Sequence, residues 1–266
     1  MKGRRLLLAM AWVCAIGAVP CESAAAEPSP AVTDGESFTY ALYLEYGFMT
    51  AKGGMACLDV KKRGEEYEAT MTLEALPLVD AIYHLYVKTA TRLSPDMKPL
   101  SYEKHAEEGS RVYDEVSIFD YPPGGGCRVT SKQTFNDGGV KECVTNMADK
   151  VYDLLSLAFH ARRLDVSRLK TKERMDVAVV SGVQVHVQSL EYQGVEEVEI
   201  DDGAKVKAGV FFLSSEEDGG VTARFAFSQD ERRVIQRIDI THNRHGSVSV
   251  RLCPVADWKA KAGGTS

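Results

Sequence analysis

The sequence has few of the short motifs that mark catalytic or metal sites. It contains no Cys-x-x-Cys spacing, which argues against a zinc or thiol–disulfide redox site. It also lacks Gly-x-Ser-x-Gly, the turn that exposes the nucleophile of many hydrolases. Of its six histidines only His242 and His245 are close in sequence, and they border a turn before Gly246 rather than share a helix face. We therefore predict no catalytic residue, no metal and no cofactor, and a protein that is not an enzyme.

The N-terminus has the three parts of a secretory signal peptide. A basic start at residues 2–5 precedes an apolar run at residues 6–19, and small residues at 24–26 follow. The run is shorter than the roughly 20 apolar residues that span a bilayer. We expect cleavage after Ala26 and a periplasmic or outer-membrane-associated protein. Lipidation at Cys21 is the less favoured alternative, because Pro20 restricts the backbone at the bond to be cut.

Removal of residues 1–26 leaves an acidic protein. The remaining chain has 29 Lys plus Arg against 37 Asp plus Glu, a formal charge of −8. A like-charged surface opposes the approach of nucleic acid and of anionic lipid headgroups. We predict that the protein does not bind nucleic acid.

Four cysteines remain after cleavage, and in an oxidising compartment they permit two disulfides with three connectivities. Cys127 and Cys143 flank a predicted hairpin, so we expect that pair, together with Cys57–Cys253. A two-residue turn at Asp137-Gly138 would not set Cys127 opposite Cys143. The pairing therefore requires a longer loop or a bulge.

Apolar residues alternate with polar ones along most of the chain, which predicts β-strands with one buried face. The pattern starts at Tyr40, and Gly53-Gly54 is interpreted as a break between strands. A short helix is predicted from Pro77 to Tyr83, and Asn136–Gly139 predicts a hairpin turn. Further strands are predicted at 85–93, 99–105, 110–119, 127–135 and 139–145.

One longer helix is predicted, from residue 147 to residue 163. Asn146 is a suitable N-cap, and Val151, Leu154 and Ala158 recur at helical spacing. Strands with one apolar face need a cover for that face, so the sheet must curl around the helix or close on itself. We predict a mainly β protein, in which a curved antiparallel sheet or partly open β-barrel wraps around this one α-helix.

The chain is predicted to hold a single folded domain. Residues 1–26 form the signal peptide, residues 27–35 a flexible lead-in, residues 36–257 one β-rich domain, and residues 258–266 a flexible tail. No internal repeat or linker interrupts the domain.

Three segments resemble an uncharacterised bacterial envelope family, domain of unknown function 3108. They are Phe38–Leu44 with Gly54–Val60, the stretch Tyr152–Ser156 followed by Arg162 or Arg163, and Phe227–Arg233 with Gly246–Val248. The chain departs from the family where Ile235-Gln236 stands in place of an expected proline. The resemblance transfers no activity. It implies a curved sheet around a helix, similar to periplasmic lipoprotein carriers, and this likeness concerns the fold alone.

The candidate site is the concave interior that such a fold encloses. We hypothesise that it binds a hydrophobic molecule, such as a lipid or an acyl chain. The residues predicted to line it are Tyr40, Tyr43, Tyr46, Leu154, Phe225 and Phe227. Ordinary core packing is the competing interpretation of these residues, and it favours a structural or assembly module with an envelope protein as partner.

Charged residues of the helix are predicted to have a structural role. Asp153 with Arg162 or Arg163 would attach the helix to strand ends near Asp230–Arg232. Ser156 and His160 lie one helical turn apart beyond Asp153, but Ser156 in mid-helix is expected to bond its own backbone rather than act as a nucleophile.

Overall fold

The computed structural model of the protein describes residues 32–46, 49–214, 222–242 and 246–253. Within these ranges the chain forms fifteen strands and two short helices. The first half comprises β1 (Ser37–Tyr46), β2 (Met49–Arg63), β3 (Glu66–Ala75), α1 (Pro77–Asp80), β4 (Leu85–Leu93), β5 (Pro99–Glu108), β6 (Arg111–Asp120), β7 (Cys127–Phe135) and β8 (Val140–Met147). The second half comprises β9 (Val151–Tyr152), α2 (Leu154–Arg163), β10 (Arg174–Ser181), β11 (Gln184–Glu199), β12 (Lys205–Ser214), β13 (Thr222–Ser228), β14 (Ile235–His242) and β15 (Gly246–Leu252).

All of these strands belong to one sheet, and its two edges are consecutive in the chain. The sheet runs from β8 back to β1, continues from β1 to β15, and then runs back to β9. Laid flat, fifteen strands would span about 65 Å at roughly 4.8 Å per strand. Only residues 148–150 link β8 to β9, and such a link reaches about 14 Å at most. The sheet must therefore curl until its edges nearly meet, and the fold is a nearly closed barrel-like sheet.

The main core cluster lies on one face of this sheet. Antiparallel register places apolar partners in rows that cross several strands, because residues opposite each other share a face. One such row contains Leu42, Val250, Ile238, Phe225 and Phe211. Phe211, Phe225 and Phe227 are fully buried. The part of the sheet formed by β1 and β12–β15 therefore has the apolar inner face that its sequence pattern predicts.

Strand β10 is buried on both faces. Val177 and Val179 belong to the main core cluster. Ala178 and Val180 belong to a second cluster, which also contains Phe119 of β6 together with Cys127 and Val129 of β7. No hydrogen-bonded ladder joins β8 to β9 or β10 in the described ranges. The two ends of the sheet therefore meet by side-chain packing.

On β6 the buried face is partly polar, contrary to the expectation of an apolar inner face. Glu115 and Ser117 are buried there. Gln133 Nε2 donates to Glu115 Oε1 at 2.7 Å, and the hydroxyls of Ser117 and Ser131 are 2.8 Å apart. The opposite face of β6 exposes Val116 and Ile118. These hydrogen bonds offset the cost of burying polar groups, so the register rather than the hydropathy decides which face turns inward.

Several local predictions are confirmed. Strands β4 and β7 have the predicted bounds, and a helical turn begins at Pro77, although α1 ends at Asp80 rather than at Tyr83. The predicted hairpin turn joins β7 to β8, and Gly138 has a φ of +85° there, a value that favours glycine.

The predicted helix at 147–163 is too long at its start. Met147 ends β8, residues 151–152 form β9, and the helix begins only at Leu154. Val151, which was assigned to the helix face, instead pairs with Ala178 in a parallel bridge. The cap is Asp153 rather than Asn146. Neither helix in the described ranges is long and apolar enough to cross a membrane.

Several predicted features fall outside the described residues. The predicted signal peptide, residues 27–31 of the lead-in, Cys21, His245 and the tail at 258–266 all lie there. Residues 32–35 are described and lie against β2. Val32 is buried, and Gly35 N–H donates to the carbonyl of Val60 at 3.0 Å.

The predicted break at Gly53-Gly54 is wrong, because both glycines lie inside β2. The register between β1 and β2 shifts at this point, between Leu42 and Tyr43, which marks a β-bulge. A Cβ on Gly54 would lie 2.5 Å from the carbonyl oxygen of Glu74 and 3.1 Å from Leu42 Cδ2. Glycine is required here for the close approach of three strands.

We predict that Gly54→Ala lowers the free energy of unfolding by about 1–3 kcal/mol, the usual cost of overpacking, because a backbone oxygen cannot give way easily. Urea denaturation would measure the change. Gly124→Ala is the matched control, since its added Cβ meets no atom within 4 Å. Equal midpoints for the two variants would contradict this explanation of Gly54.

Candidate functional site

Helix α2 is buried on every side. The five consecutive residues from Leu155 to Phe159 are all buried, and successive residues of a helix point about 100° apart. Five in a row therefore cover the full circumference. The helix contacts β4, β9 and β10, and Leu157 and Phe159 are at most 1% exposed. A helix surrounded in this way leaves its end groups without water, so its polar ends need protein partners.

The N-terminal end of α2 is satisfied by a capping box. Asp153 Oδ1 accepts from the backbone N–H of Leu155 at 2.9 Å and of Ser156 at 3.0 Å. Ser156 Oγ in turn accepts from the N–H of Asp153 at 2.9 Å. The hydroxyl of Thr91 on β4 also donates to Asp153 Oδ1 at 3.0 Å. These contacts fix the start of the helix to the sheet.

Asp153 has one carboxylate oxygen with no partner. Its Oδ2 is buried and accepts no hydrogen bond among the described residues. Burial raises the pKa of Asp153 above its ordinary value of 3.8, although its hydrogen bonds act in the opposite direction. Burial favours the neutral form of a carboxyl group, so this end of the helix has a buried titratable group.

The C-terminal end of α2 is attached by a buried ion pair. Arg162 donates through Nη1 and Nη2 to the two oxygens of Glu36 at 2.7 and 2.8 Å, and both side chains are at most 8% exposed. Arg162 Nε donates to the carbonyl of Arg232 at 2.6 Å, in the segment between β13 and β14. Arg163 donates to the carbonyl of Asp96 at 2.8 Å. The end of the helix is thus joined to three separate segments that flank strands: the residue before β1, the β13–β14 connection and the β4–β5 connection.

Sequence reasoning did not find Glu36 or Thr91. Glu36 is the first residue after the assigned lead-in and Thr91 is one of many strand threonines, so neither has a local signal. Only the fold brings them to Arg162 and Asp153.

The residues predicted to line a ligand site do not all face one space. Tyr40, Phe225 and Phe227 are at most 2% exposed in the main core cluster. Leu154 is partly buried against the same cluster. Tyr43 lies on the opposite face of β1, as strand alternation requires, and its hydroxyl donates to Asp201 Oδ1 at 2.7 Å. The side chain of Tyr46 lies outside the described part of the chain.

Ser156 and His160 do not form a nucleophile–base arrangement. Ser156 is fully buried, and its hydroxyl is used in the cap. The ring of His160 stacks on Tyr152 with centroids 4.8 Å apart. Burial, helped by the cations of Lys150 and Arg163, lowers the pKa of His160 to about 4. A neutral stacked histidine beside a capping serine stabilises a helix, and this arrangement does not activate a hydroxyl.

Neither predicted disulfide is present, and all four cysteines are free thiols in the structure. Cys127 is the register partner of Met147, while Cys143 is that of Ser131. This offset of four residues separates Cys127 from Cys143 by about 14 Å along the strands, beyond the 4.4–6.8 Å that a disulfide spans between Cα atoms.

Cys57 and Cys253 lie on either side of the same residue of β1. On one side of β1, Cys57 of β2 is the register partner of Thr39. On the other side, the N–H of Cys253 donates to the carbonyl of Thr39. Two strand spacings of about 4.8 Å separate them, which is too far for a bond. Burial and a hydrogen bond to Asp201 raise the pKa of Cys253 to about 12, so this thiol is also a poor nucleophile.

A groove of about 400 Å³ lies over β10–β13. Its charged residues neutralise one another. Arg174 pairs with Glu191, and Arg224 pairs with Glu196 at 2.5 Å. The hydrogen bond from Arg174 also lowers the pKa of Glu191. In the described ranges no three His, Cys, Asp or Glu side chains converge as a metal-ligand set.

The fold and the site together define a barrel-like β protein. Its curled sheet is associated with one buried helix, α2, whose two ends are held by polar contacts to other segments. The chain belongs to the family described as Protein of unknown function (DUF3108), whose model matches residues 39–252. The family resemblance of the sequence is thereby confirmed.

The fold is also similar to that of a solved structure. It is the crystal structure of a β-barrel-like protein of domain of unknown function DUF1849 from Brucella abortus, which superposes with a TM-score of 0.53 at 9% sequence identity. The match covers 84% of this chain and 97% of that chain. At this identity the likeness concerns the fold alone. No curated protein matches the chain.

We predict that Arg162→Ala lowers the free energy of unfolding by about 3–5 kcal/mol, because it leaves the buried carboxylate of Glu36 without a partner. Arg163→Ala is the control on the adjacent residue, and it should cost about 0.5–1.5 kcal/mol for one hydrogen bond at the surface. Urea denaturation of both variants measures the difference. Similar losses would mean that the buried ion pair does not hold the helix.

We predict that Asp153→Asn becomes more stable relative to the natural protein as the pH rises above about 4. The raised pKa of Asp153 means that its protonated form favours folding below 3.8 and that this contribution is lost as the pH rises through the folded-state pKa. Asparagine keeps the capping oxygen but does not titrate. Urea denaturation of both proteins between pH 4 and pH 7 measures the change.

Ser156→Ala is the control for this experiment. It removes one bond of the capping box and leaves the carboxyl group in place, so its stability difference from the natural protein should change much less with pH. A difference for Asp153→Asn that is constant from pH 4 to pH 7 would contradict the assignment of a raised pKa to Asp153.

Proposed function

We propose that the protein is a non-enzymatic component of the bacterial envelope, and that it acts as a structural or assembly module with a filled interior. The observation that carries this proposal is the burial of α2 around its whole circumference. In our interpretation the sheet wraps around this helix, which then occupies the space where a carrier would hold its ligand.

The location in the envelope is supported by the sequence. Residues 1–26 have the pattern of a signal peptide, and the remaining chain is acidic. The proposed location is the periplasm or the periplasmic side of the outer membrane.

A comparison of free energies favours the filled interior over an acyl-chain site. A chain of about 16 carbons gains roughly 12 kcal/mol on burial. Its entry would expose Leu155, Leu157 and Phe159, at a loss of roughly 5–9 kcal/mol. Association itself costs roughly 4–15 kcal/mol. The two losses together are roughly 9–24 kcal/mol and exceed the gain over most of that range, which favours the helix in place as the occupant.

The proposal that the protein is not an enzyme rests on the state of its candidate groups. Ser156 is used in the cap, and the pKa of His160 is lowered to about 4. The charged residues of the groove over β10–β13 pair with each other. An active site usually has converging titratable groups that remain accessible to a substrate.

A hydrophobic ligand in the concave interior remains the second candidate function. One observation favours it. Four buried polar atoms have no partner among the described residues, namely Tyr40 Oη, Asp153 Oδ2, Gln188 Oε1 and Arg233 Nε. Buried polar groups normally have partners, and the polar head of a bound lipid would supply them.

Native mass spectrometry of residues 27–266, purified from the periplasm under mild conditions, tests the proposal. We expect the mass of the protein alone. Arg162→Ala, with Arg163→Ala as control, should increase the binding of an apolar fluorescent probe by loosening the helix. Co-purified lipid at one molecule per chain in the natural protein would overturn the filled-module proposal in favour of the carrier.

A further inference from the structure

The β8 edge of the sheet presents unpaired backbone groups. Phe135 N–H donates to the carbonyl of Gly139 at 2.9 Å, so these residues form a hydrogen-bonded pair in the β7–β8 register. Such pairs alternate along an antiparallel ladder, and the next ones join β7 to Lys141, Cys143 and Thr145. The N–H and C=O groups that point away from β7 therefore belong to Val140, Glu142, Val144 and Asn146.

These outward groups have no partner within the described residues, because β8 ends the strand order of the sheet. β8 is eight residues long and contains no proline. Its register with β7 shows no bulge. Natural sheets usually protect an edge with proline, a bulge, a charged residue or a covering segment. This edge has neither proline nor bulge; it has one cation, Lys141, and part of β8 contacts β11. The outward backbone groups nevertheless take part in no described hydrogen bond, which favours a strand that pairs with another chain.

The side chains beside this edge are apolar and exposed. Val140 and Val144 are 52% and 51% exposed. Val144 shares its face of the sheet with Ile118, through the rows that join β8, β7 and β6, and Ile118 is also exposed. An exposed apolar patch next to free backbone groups has the properties of a strand-addition surface.

We propose that the partner is a second copy of this chain, paired through β8 in antiparallel orientation about a two-fold axis at Val144. This inference specifies a partner for the assembly role and rests on that proposed function. A two-fold contact is isologous, so the strand must be complementary to itself.

Charge and polarity select this register. Centring the axis on Glu142 or on Lys141 would set like charges directly opposite each other, which is destabilising. Centring it on Cys143 would set Glu142 against the partner's Val144, and centring it on Thr145 would set Val144 against the partner's Asn146. Each places a polar or charged group against an apolar one. The axis at Val144 sets Val144 against its own copy and Glu142 against the partner's Asn146, whose amide can donate to the carboxylate.

The register also predicts which thiols can be joined. Opposed residues in a hydrogen-bonded pair have Cα atoms about 5.5 Å apart, within the range of a disulfide. A cysteine at position 144 would therefore face its copy. Cys143 would instead face the partner's Thr145, so its thiol should not cross-link.

The test uses Val144→Cys in a Cys143→Ser background, treated with oxidised glutathione. Each cross-link joins two thiols and releases two molecules of reduced glutathione. We expect a covalent dimer on a non-reducing gel. Val195→Cys in the same background is the matched control, since Val195 is a similarly exposed valine, 52% against 51%, in the C-terminal half of β11, and it should remain largely monomeric. A cross-link at 195 equal to that at 144 would contradict the proposal.

The uncross-linked protein provides the second measurement. Analytical ultracentrifugation of residues 27–266 should show a concentration-dependent dimer. Val144→Pro should increase the dissociation constant at least tenfold, because it removes an outward N–H without breaking a bond to β7. A monomer at all concentrations, or a dimer unaffected by this proline, would overturn the β8 dimer. A lipid-free monomer overturns the dimer alone, whereas a lipid-bound chain overturns the assembly role.

Discussion

The fold depends on a short connection between the two edges of a fifteen-stranded sheet. Because residues 148–150 must join β8 to β9, the sheet cannot stay open, and its curl creates an interior that has to be filled. In the function we propose, the segment that follows the connection supplies the filling, since α2 begins at Leu154, two residues after β9 ends at Tyr152. The closure of the sheet and the buried helix therefore depend on neighbouring segments of the chain, residues 148–150 and 154–163.

A helix in such an interior brings polar ends into a low-dielectric space. The structure resolves this with groups from distant elements: Thr91 and Asp153 at one end, and Glu36 with Arg162 at the other. An exposed helix would leave these ends to water. The arrangement explains why the charged residues of α2 are concentrated at its ends, and why Ser156 belongs to the cap rather than to a reaction.

Local signals predicted much of the fold. Alternation located β4 and β7, and Asn136–Gly139 marked a turn because these residues tolerate its backbone angles. Non-local contacts decided what could not be predicted. Gly54 reads as a break because the approach of Glu74 is invisible in the sequence, and Val151 reads as helical because Ala178 is far along the chain. The candidate site shows the same division: the sequence placed Arg162 or Arg163 near Asp230–Arg232, and Arg162 Nε does donate to the carbonyl of Arg232, whereas Glu36 and Thr91 had no local signal.

The pairing of β1 with β15 has a consequence for how the protein is made. Tyr40 lies opposite Leu252, so one side of the first strand has no neighbour until almost the whole chain has been synthesised. Contacts this distant in sequence slow folding. The early strands can pair as successive hairpins during synthesis, but the sheet cannot be completed until β15 has been made. A chain that stops short of residue 246 would lack β15. One edge of β1 would then stay unpaired and accessible to proteases and to other strands.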